Sequence, residues 1–504
     1  MSQLKKGAIL SYITIILTNV VGLILTPFII TKLGDAEYGL YTLIGAFVGY
    51  ISVLDLGLNN TIVRFVAKYR AEKDKIGEEN FLGTTMLIYM VIATIISIIG
   101  VVMYFNIEYV FSSSLTLQEI EKAKIMFVIL IFNLAITLPG GAFTAICSGY
   151  EHFVYPRTVN IIRYIVRSIM VVALLTIGED AIGLVILDTI MNLLVILFNG
   201  FYVFKKLKVV FKVDKFEFFL VKEIFAYSIW IFIFALVNQF QWKVGQVVLG
   251  TLTNTTTVAI YAIGIMLGTY YGAFSTAVSS VFLPRATKMI VNESSAEELT
   301  LMMIKIGRIS LLVLLLILGG FIFFGEDFVN LWIGDKYKDS WFIALVIMLG
   351  YTVALVQSFA HLILEAKSKF SFKAIVYIFF LSLGTLLGAF LVKDYGVKGM
   401  VVGTTIGWVI SQIIMNYYYY KVIKLKIGLF FLKLASKIIP TFILIMALSY
   451  FITFITIDGW KGLILKVVCF LIIYSALIFH LGMNQSEKEI VKNILPFFNR
   501  KKNV

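Results

Sequence analysis

The chain has 504 residues, 60% of them hydrophobic, with a net charge of +14 and a mean hydropathy of +0.96. Soluble domains are about 45–50% apolar, so a soluble enzyme is excluded as the body of this chain. Its apolar residues come in runs of about 20, the length of a membrane-crossing helix. They do not come in the alternating segments of about 10 that build a membrane barrel.

Read in chain order, the runs and breakers predict an all-α polytopic membrane protein of fourteen spans. The first seven are 8–30, 38–58, 81–103, 123–145, 158–177, 182–203 and 224–249. The rest are 258–282, 301–324, 341–363, 373–392, 399–420, 438–457 and 463–482. The first follows Lys5-Lys6, is too long for a signal-peptide core and lacks a small-x-small cleavage site, so it reads as an uncleaved span with Pro27 as a bending point. Thr116-Leu-Gln-Glu119 and Ser295-Ala-Glu-Glu298 are capping boxes before spans 4 and 9. Lys421 to Lys437 reads as an interfacial amphipathic helix. Ser486-Glu-Lys-Glu489 reads as the cap of another, with Ile490, Val491, Ile494 and Leu495 on one side and Pro496 as its stop. Tyr417 to Tyr420 form an aromatic belt at the inner end of span 12.

Charge sets the orientation. The termini and the loops after even-numbered spans hold about 29 of the 43 Lys and Arg, against about seven on the other side. They include Arg64, Lys68, Arg70, Lys73 and Lys75, then Lys205, Lys206, Lys208, Lys212 and Lys215, and finally Arg500-Lys501-Lys502. Both termini are therefore expected in the cytoplasm. A nucleic-acid footprint is the weaker reading, because the basic residues sit beside spans rather than in one domain. No loop is long enough to hold a nucleotide-binding domain, and no G-x-x-x-x-G-K-[ST] occurs. Cys147 and Cys469 lie far apart, and His152, His361 and His480 show no zinc spacing. Neither a cofactor nor a metal is expected.

An internal echo pairs Ser11-Tyr-Ile, Leu33-Gly34 and Tyr41 to Tyr50 with Tyr227-Ser-Ile, Leu249-Gly250 and Tyr261 to Tyr270. It predicts two parallel six-helix lobes, 1–215 and 216–425, with 426–504 adding two spans and a cytoplasmic amphipathic tail. Parallel repeats place a substrate site between the halves.

The polar residues inside the spans carry the functional reading. Asn160, Arg163 and Arg167 share one face of span 5, with Arg167 near mid-membrane and Arg163 about 6 Å nearer the cytoplasm. An intramembrane arginine must face protein or water. Arg167 reads as a cavity residue, whereas Arg163 either lines the cavity or snorkels to the inner interface. Span 7 gathers Asn238, Gln239, Gln241, Lys243 and Gln246, and span 1 carries Thr14, Thr18 and Asn19. Together they suggest a hydrated cationic vestibule. The acidic residues at depth are Asp188, Asp55 and Glu365, each able to neutralise an arginine or relay protons. A positive cavity favours an anionic substrate, since arginine binds phosphate bidentately and keeps its charge.

Leu54-Asp-Leu-Gly-Leu-Asn-Asn-Thr-Ile-Val-Arg64-Phe-Val-Ala-Lys68 and Leu33-Gly-Asp-Ala-Glu-Tyr38-Gly-Leu-Tyr41 resemble signatures of bacterial oligosaccharide flippases, the polysaccharide biosynthesis proteins. The specific motifs lie in the first third of the chain. Their superfamily also contains drug/cation antiporters and the flippase of the peptidoglycan lipid precursor. The resemblance implies two six-helix lobes in a V, two extra helices and alternating access in the plasma membrane. It implies a polyprenyl-pyrophosphate-linked oligosaccharide as cargo, other polysaccharide assembly proteins as partners, and coupling to H+, Na+ or the membrane potential in some members. Arg163, Arg167, Lys243 and Arg64 would then attract the pyrophosphate. Asn19, Thr18, Asn238, Gln241 and Gln246 would meet sugar hydroxyls, and Asp188 or Asp55 would couple an ion. A multidrug/cation antiporter of the same fold is the alternative, disfavoured because such a site should be acidic and aromatic. A membrane glycosyltransferase or polymerase would need acidic residues on a sizeable outer loop, and the best candidate, 325–340, is short.

Overall fold

A computed structural model describes residues 3–213, 218–366 and 371–494, and all of its regular structure is helical. The expected residues Lys215, Glu365, Leu495, Pro496 and Arg500-Lys501-Lys502 lie outside the described residues or side chains, as do Lys5, Tyr227, Ile490, Val491 and Ile494.

The helices are α1 (Gln3–Leu33), α2 (Asp35–Ser52), α3 (Leu58–Glu72), α4 (Lys75–Phe111), α5 (Leu117–Gly149), α6 (Val154–Ile177), α7 (Ala181–Lys205) and α8 (Phe218–Leu252). They continue with α9 (Thr255–Val291), α10 (Ala296–Ile333), α11 (Lys338–Val356), α12 (Ser358–Ala366), α13 (Ser371–Lys421), α14 (Ile427–Tyr450), α15 (Gly459–Leu477) and α16 (Gln485–Ile494). Among the described residues, 12 helices are long and apolar enough to cross a membrane. α13 counts once there although Gly396 interrupts it, and the 35-residue α8 is not counted. Dividing α13 and adding α8 is consistent with the fourteen expected spans. The chain is a multi-pass membrane protein.

Contacts divide the chain into two compact units, Met1–Ala262 with Ala389–Met400, and Ile263–Gly388 with Val401–Val504. In the first, α5 is the hub, packing against α2, α3, α4 and α7, while α6 leans on α1 and α7, and α8 on α2. The approach of α2 to the start of α9 depends on Gly39, where an added Cβ would stand 1.8 Å from the Thr255 carbonyl oxygen. In the second unit α10 is the hub, against α11, α14 and α15.

Both capping boxes form, Thr116 with Glu119 and Ser295 with Glu298. α1 continues as helix through Pro27. Two sequence expectations need correction. Lys421 to Lys437 is not a separate interfacial helix, because Ile427 onward runs straight into the span as α14. Ser486 does not cap the tail helix. Asn484 does, its Oδ1 accepting from the Glu487 backbone N–H at 2.9 Å, because Glu487 is drawn inward. The two Leu-Gly pairs of the echo adopt different backbone: Gly34 turns the chain at φ +82°, whereas Gly250 lies within α8 against Leu43.

Candidate functional site

The motif Leu33 to Tyr41 builds the end of the first unit that the charge bias puts outside. Glu37 Oε1 lies 3.0 Å from Lys122 Nζ and accepts the Ala181 backbone N–H at 2.9 Å. Lys122 also reaches Asp180 Oδ2 at 2.9 Å, and Asp180 caps α7 through the Ile182 N–H. The starts of α2, α5 and α7 are thereby joined. Burial pushes the Asp180 carboxyl up, but the Lys122 ammonium outweighs it and holds the group below the usual carboxylate range.

The Asp55-Leu-Gly motif is a helix break. Leu56 and Gly57 both adopt left-handed backbone, at φ +54° and +71°, so the chain leaves α2 and restarts as α3. Gly57 takes this conformation without steric cost. Asp55 Oδ1 accepts from Asn59 Nδ2 at 3.3 Å and from the Tyr89 hydroxyl at 3.2 Å, tying the break to α4. Arg64 stands exposed on α3, which packs on α4, α5 and α8.

Between these ends lies a ladder. α6 and α7 are joined by a short turn and run antiparallel, so residues one turn apart on one helix face residues one turn apart on the other. Arg167 Nε donates to Asp188 Oδ1, and Arg167 Nη2 donates to Asp188 Oδ2 at 2.9 Å. One turn nearer the inner end, Arg163 Nη1 donates to Asn192 Oδ1 at 2.5 Å. Neighbouring helices extend both rungs. The Tyr41 hydroxyl of α2 donates to Asp188 Oδ2 at 3.1 Å, and Asn192 Nδ2 donates to Asn133 Oδ1 of α5 at 3.1 Å. Tyr164 on α6 donates to the Thr18 carbonyl of α1 at 3.1 Å. Above the ladder Val171, Leu175, Leu184 and Leu187 form an apolar cluster with Phe28 and Leu33. Below it an apolar groove of about 230 Å³ runs along Val159, Ile162, Leu194 and Phe198, with the Arg163 stem as one wall.

Neither arginine rung is sealed: the Arg167 and Asp188 side chains are 21% and 24% exposed. Arg163 is half-buried and its Nε is buried without an acceptor. The expected α1 residues Thr18 and Asn19 are half-buried, with the Thr18 hydroxyl bonded to the Ile15 carbonyl of its own helix. On α8, Asn238 is exposed, Gln241 and Lys243 are half-buried, and Gln246 is buried with its Oε1 unpartnered. That helix meets α2 where the Tyr50 hydroxyl bonds the Gln239 carbonyl. The structure thus brings Arg163 and Arg167 together on α6, while Lys243 lies on α8 and Arg64 on α3.

Sequence reasoning missed Tyr41, Asn192 and Asn133. They are polar side chains at the helical spacing of ordinary core residues, and only the packing partner distinguishes them. It also missed a chain in the second unit, in which Tyr377 donates to Gln412 at 2.7 Å, Gln412 to Gln357 at 2.5 Å and Gln357 to Asn416 at 2.7 Å. Among the described residues, no group of three or more His, Cys, Asp or Glu is placed to hold a metal ion.

Comparison with known proteins places this architecture. The chain is 20% identical over 404 residues to a candidate O-antigen transporter of Shigella flexneri, covering 78% of this chain and 92% of that one. Its fold is similar to that of the lipid II flippase MurJ in an inward closed conformation, with TM-score 0.71, 17% identity, and coverage of 94% of this chain and 98% of that one. It is also similar to an inward-facing multidrug resistance MATE transporter, with TM-score 0.60, 14% identity, and coverage of 82% and 95%. The polysaccharide biosynthesis protein family matches residues 4–290, more than half of the sequence, and the chain belongs to that family.

Proposed function

We propose that the protein carries a polyprenyl-pyrophosphate-linked oligosaccharide from the cytoplasmic to the outer leaflet of a bacterial plasma membrane, by alternating access between lobes 1–215 and 216–425, for cell-surface polysaccharide synthesis. The observation that carries this reading is the family match over a segment in which α6, long and apolar enough to cross a membrane, holds two arginines. A relative described as a candidate O-antigen transporter and a fold shared with a lipid II flippase support it.

In this reading Arg163 and Arg167 receive the pyrophosphate, while Lys243 on α8 and Arg64 on α3, outside the ladder, attract it on its approach. Thr18, Asn19, Asn238, Gln241 and Gln246 face the sugars. Coupling is to an ion gradient, through Asp188 or Asp55, or to the membrane potential, which supplies roughly 2.3 kcal/mol per charge per 100 mV. The antiporter alternative fits less well, because the ladder sets two arginines against one aspartate.

The test is a deletion strain complemented with wild type or Arg167→Ala at matched protein level. The reading expects surface polymer to disappear and the lipid-linked intermediate to accumulate in the inner leaflet, with rescue by wild type alone. Normal polymer in the deletion strain, or full rescue by Arg167→Ala, would overturn it. Efflux of cationic dyes by the wild type would favour the antiporter.

A further inference from the structure

We propose that Arg167 and Asp188 are an exchangeable pair: a ligand anion takes the Arg167 guanidinium, and the released Asp188 carboxylate takes up one proton from water only when that anion carries two charges. The inference rests on the flippase reading and gives its site a charge rule.

The rule comes from counting the groups around the ladder. α6 supplies two fixed positive charges, Arg163 and Arg167, and the neutral Tyr164 hydroxyl. α7 supplies one negative charge, Asp188, and the neutral Asn192. α2 contributes the neutral Tyr41 hydroxyl, α5 the neutral Asn133 and Thr137, and α1 the Thr18 carbonyl. The resting sum is one positive charge. Uncompensated charge at membrane depth is costly, so a ligand is favoured when it brings the sum to zero. A singly charged phosphodiester does so unaided. A pyrophosphate diester carries two negative charges and overshoots by one, and a single proton restores the balance.

Asp188 is the group able to take it. Arginine is already protonated and keeps its charge in proteins, and the tyrosines are neutral donors. Once Arg167 turns to the phosphate, the Asp188 carboxylate loses both of its charge-assisted hydrogen bonds. It keeps the Tyr41 hydroxyl at Oδ2, which can accept from a protonated carboxyl as readily as it donates to a carboxylate. The proton moves from bulk water to the carboxyl oxygen, and no bond in the lipid changes. The pair is 21% and 24% exposed, which leaves it open to water and to a phosphate oxygen.

The experiment uses the full chain in detergent micelles, in weak buffer with a pH-sensitive dye, titrated with two probes. Farnesyl-pyrophosphoryl-glucose carries two charges, and farnesyl-phosphoryl-glucose carries one. Expected for the wild type is uptake of about one proton per bound pyrophosphoryl lipid, with affinity falling about tenfold per pH unit across the uptake range. The phosphoryl lipid should bind with no uptake. Asp188→Asn should bind the pyrophosphoryl lipid with no uptake and with affinity independent of pH, and Asp188→Glu should restore uptake. Uptake persisting in Asp188→Asn, uptake with the singly charged lipid, or wild-type binding of the doubly charged lipid without uptake would each overturn the proposal while leaving the flippase reading standing. Failure of the wild type to bind either lipid would overturn the reading of the site and this inference together. The comparison of the two lipids on the wild type needs no variant, so a folding defect in Asp188→Asn does not block it.

Discussion

The C-terminal helix should be held by one buried ion pair, and removing one partner should release it. Arg308 on α10 donates through Nε and Nη2 to the Glu487 carboxylate at 2.6 and 3.0 Å. It also donates to the Lys433 carbonyl at 2.8 Å and the Gly482 carbonyl at 3.0 Å, so one guanidinium joins α10, α14, the segment that follows α15, and α16. Both side chains are nearly inaccessible, at 6% and 5% exposure. In Glu487→Gln the guanidinium keeps its two carbonyl acceptors but loses its counter-charge. Breaking a buried pair in this way costs about 3–5 kcal/mol, a shift of roughly 10² to 5 × 10³ in the opening equilibrium of α16. Hydrogen exchange of the peptide spanning 485–494, in lipid nanodiscs, reads that equilibrium. The variant should exchange at least a hundredfold faster, with α4 and α5 unaffected. Arg308→Met with Glu487→Met removes both charges, and should exchange more slowly than either single variant. Exchange of Glu487→Gln within threefold of wild type would refute the argument.

Other expectations follow from single contacts. Asn192→Leu leaves the Arg163 Nη1 proton without its acceptor and should lower stability by about 1–3 kcal/mol, read as a shortened thermal half-life in detergent; an unchanged half-life would count against the lower rung. Gly39→Ala drives a methyl into the Thr255 carbonyl and should cost about 1–3 kcal/mol or prevent accumulation, whereas Gly45→Ala, with open space around its Cβ, should be tolerated. The Asp180 carboxyl is held low by Lys122. Its contribution is therefore complete above an ordinary carboxylate pKa of about 4 and is lost as pH falls through its own lower value. Exchange of the peptide spanning 178–184 should rise a few-fold on acidification through that window, and Asp180→Asn should remove the pH dependence.

Much of the fold was legible because lipid is a demanding solvent. Twenty-residue apolar runs and the lysine bias must appear in the sequence, and so must caps such as Thr116 with Glu119. The helix ends were less legible. α4 and α10 run to Phe111 and Ile333, well past their expected spans, because polar residues such as Asn106 and Glu108, or Glu326 and Asp327, interrupt the apolar run without ending the helix. The tail helix was misread for another reason. Ser486 looks like a cap, but the deciding partner of Glu487 is Arg308, 179 residues away, and no local rule reaches it. Of the site, the charges were legible and their geometry was not. Asp188 could be named as a neutraliser of an arginine, yet its assignment to Arg167 depends on the antiparallel register of α6 and α7.

That register also explains why two arginines are tolerated in so apolar a helix. Each alone would cost roughly 2.5–3.5 kcal/mol at the centre of an isolated span, so each needs an acceptor at the same depth. α7 supplies two, a carboxylate and an amide, at the matching spacing. A purely structural ladder would be expected to use two carboxylates, or no charges at all, because a buried pair is seldom better than well-packed apolar residues. Here one rung is ionic and the other neutral, and the Arg163 charge has no counter-ion in its rung. Stability alone does not call for that excess. The proposed anionic cargo would use it, and the unequal rungs are the feature that the two-lipid titration addresses.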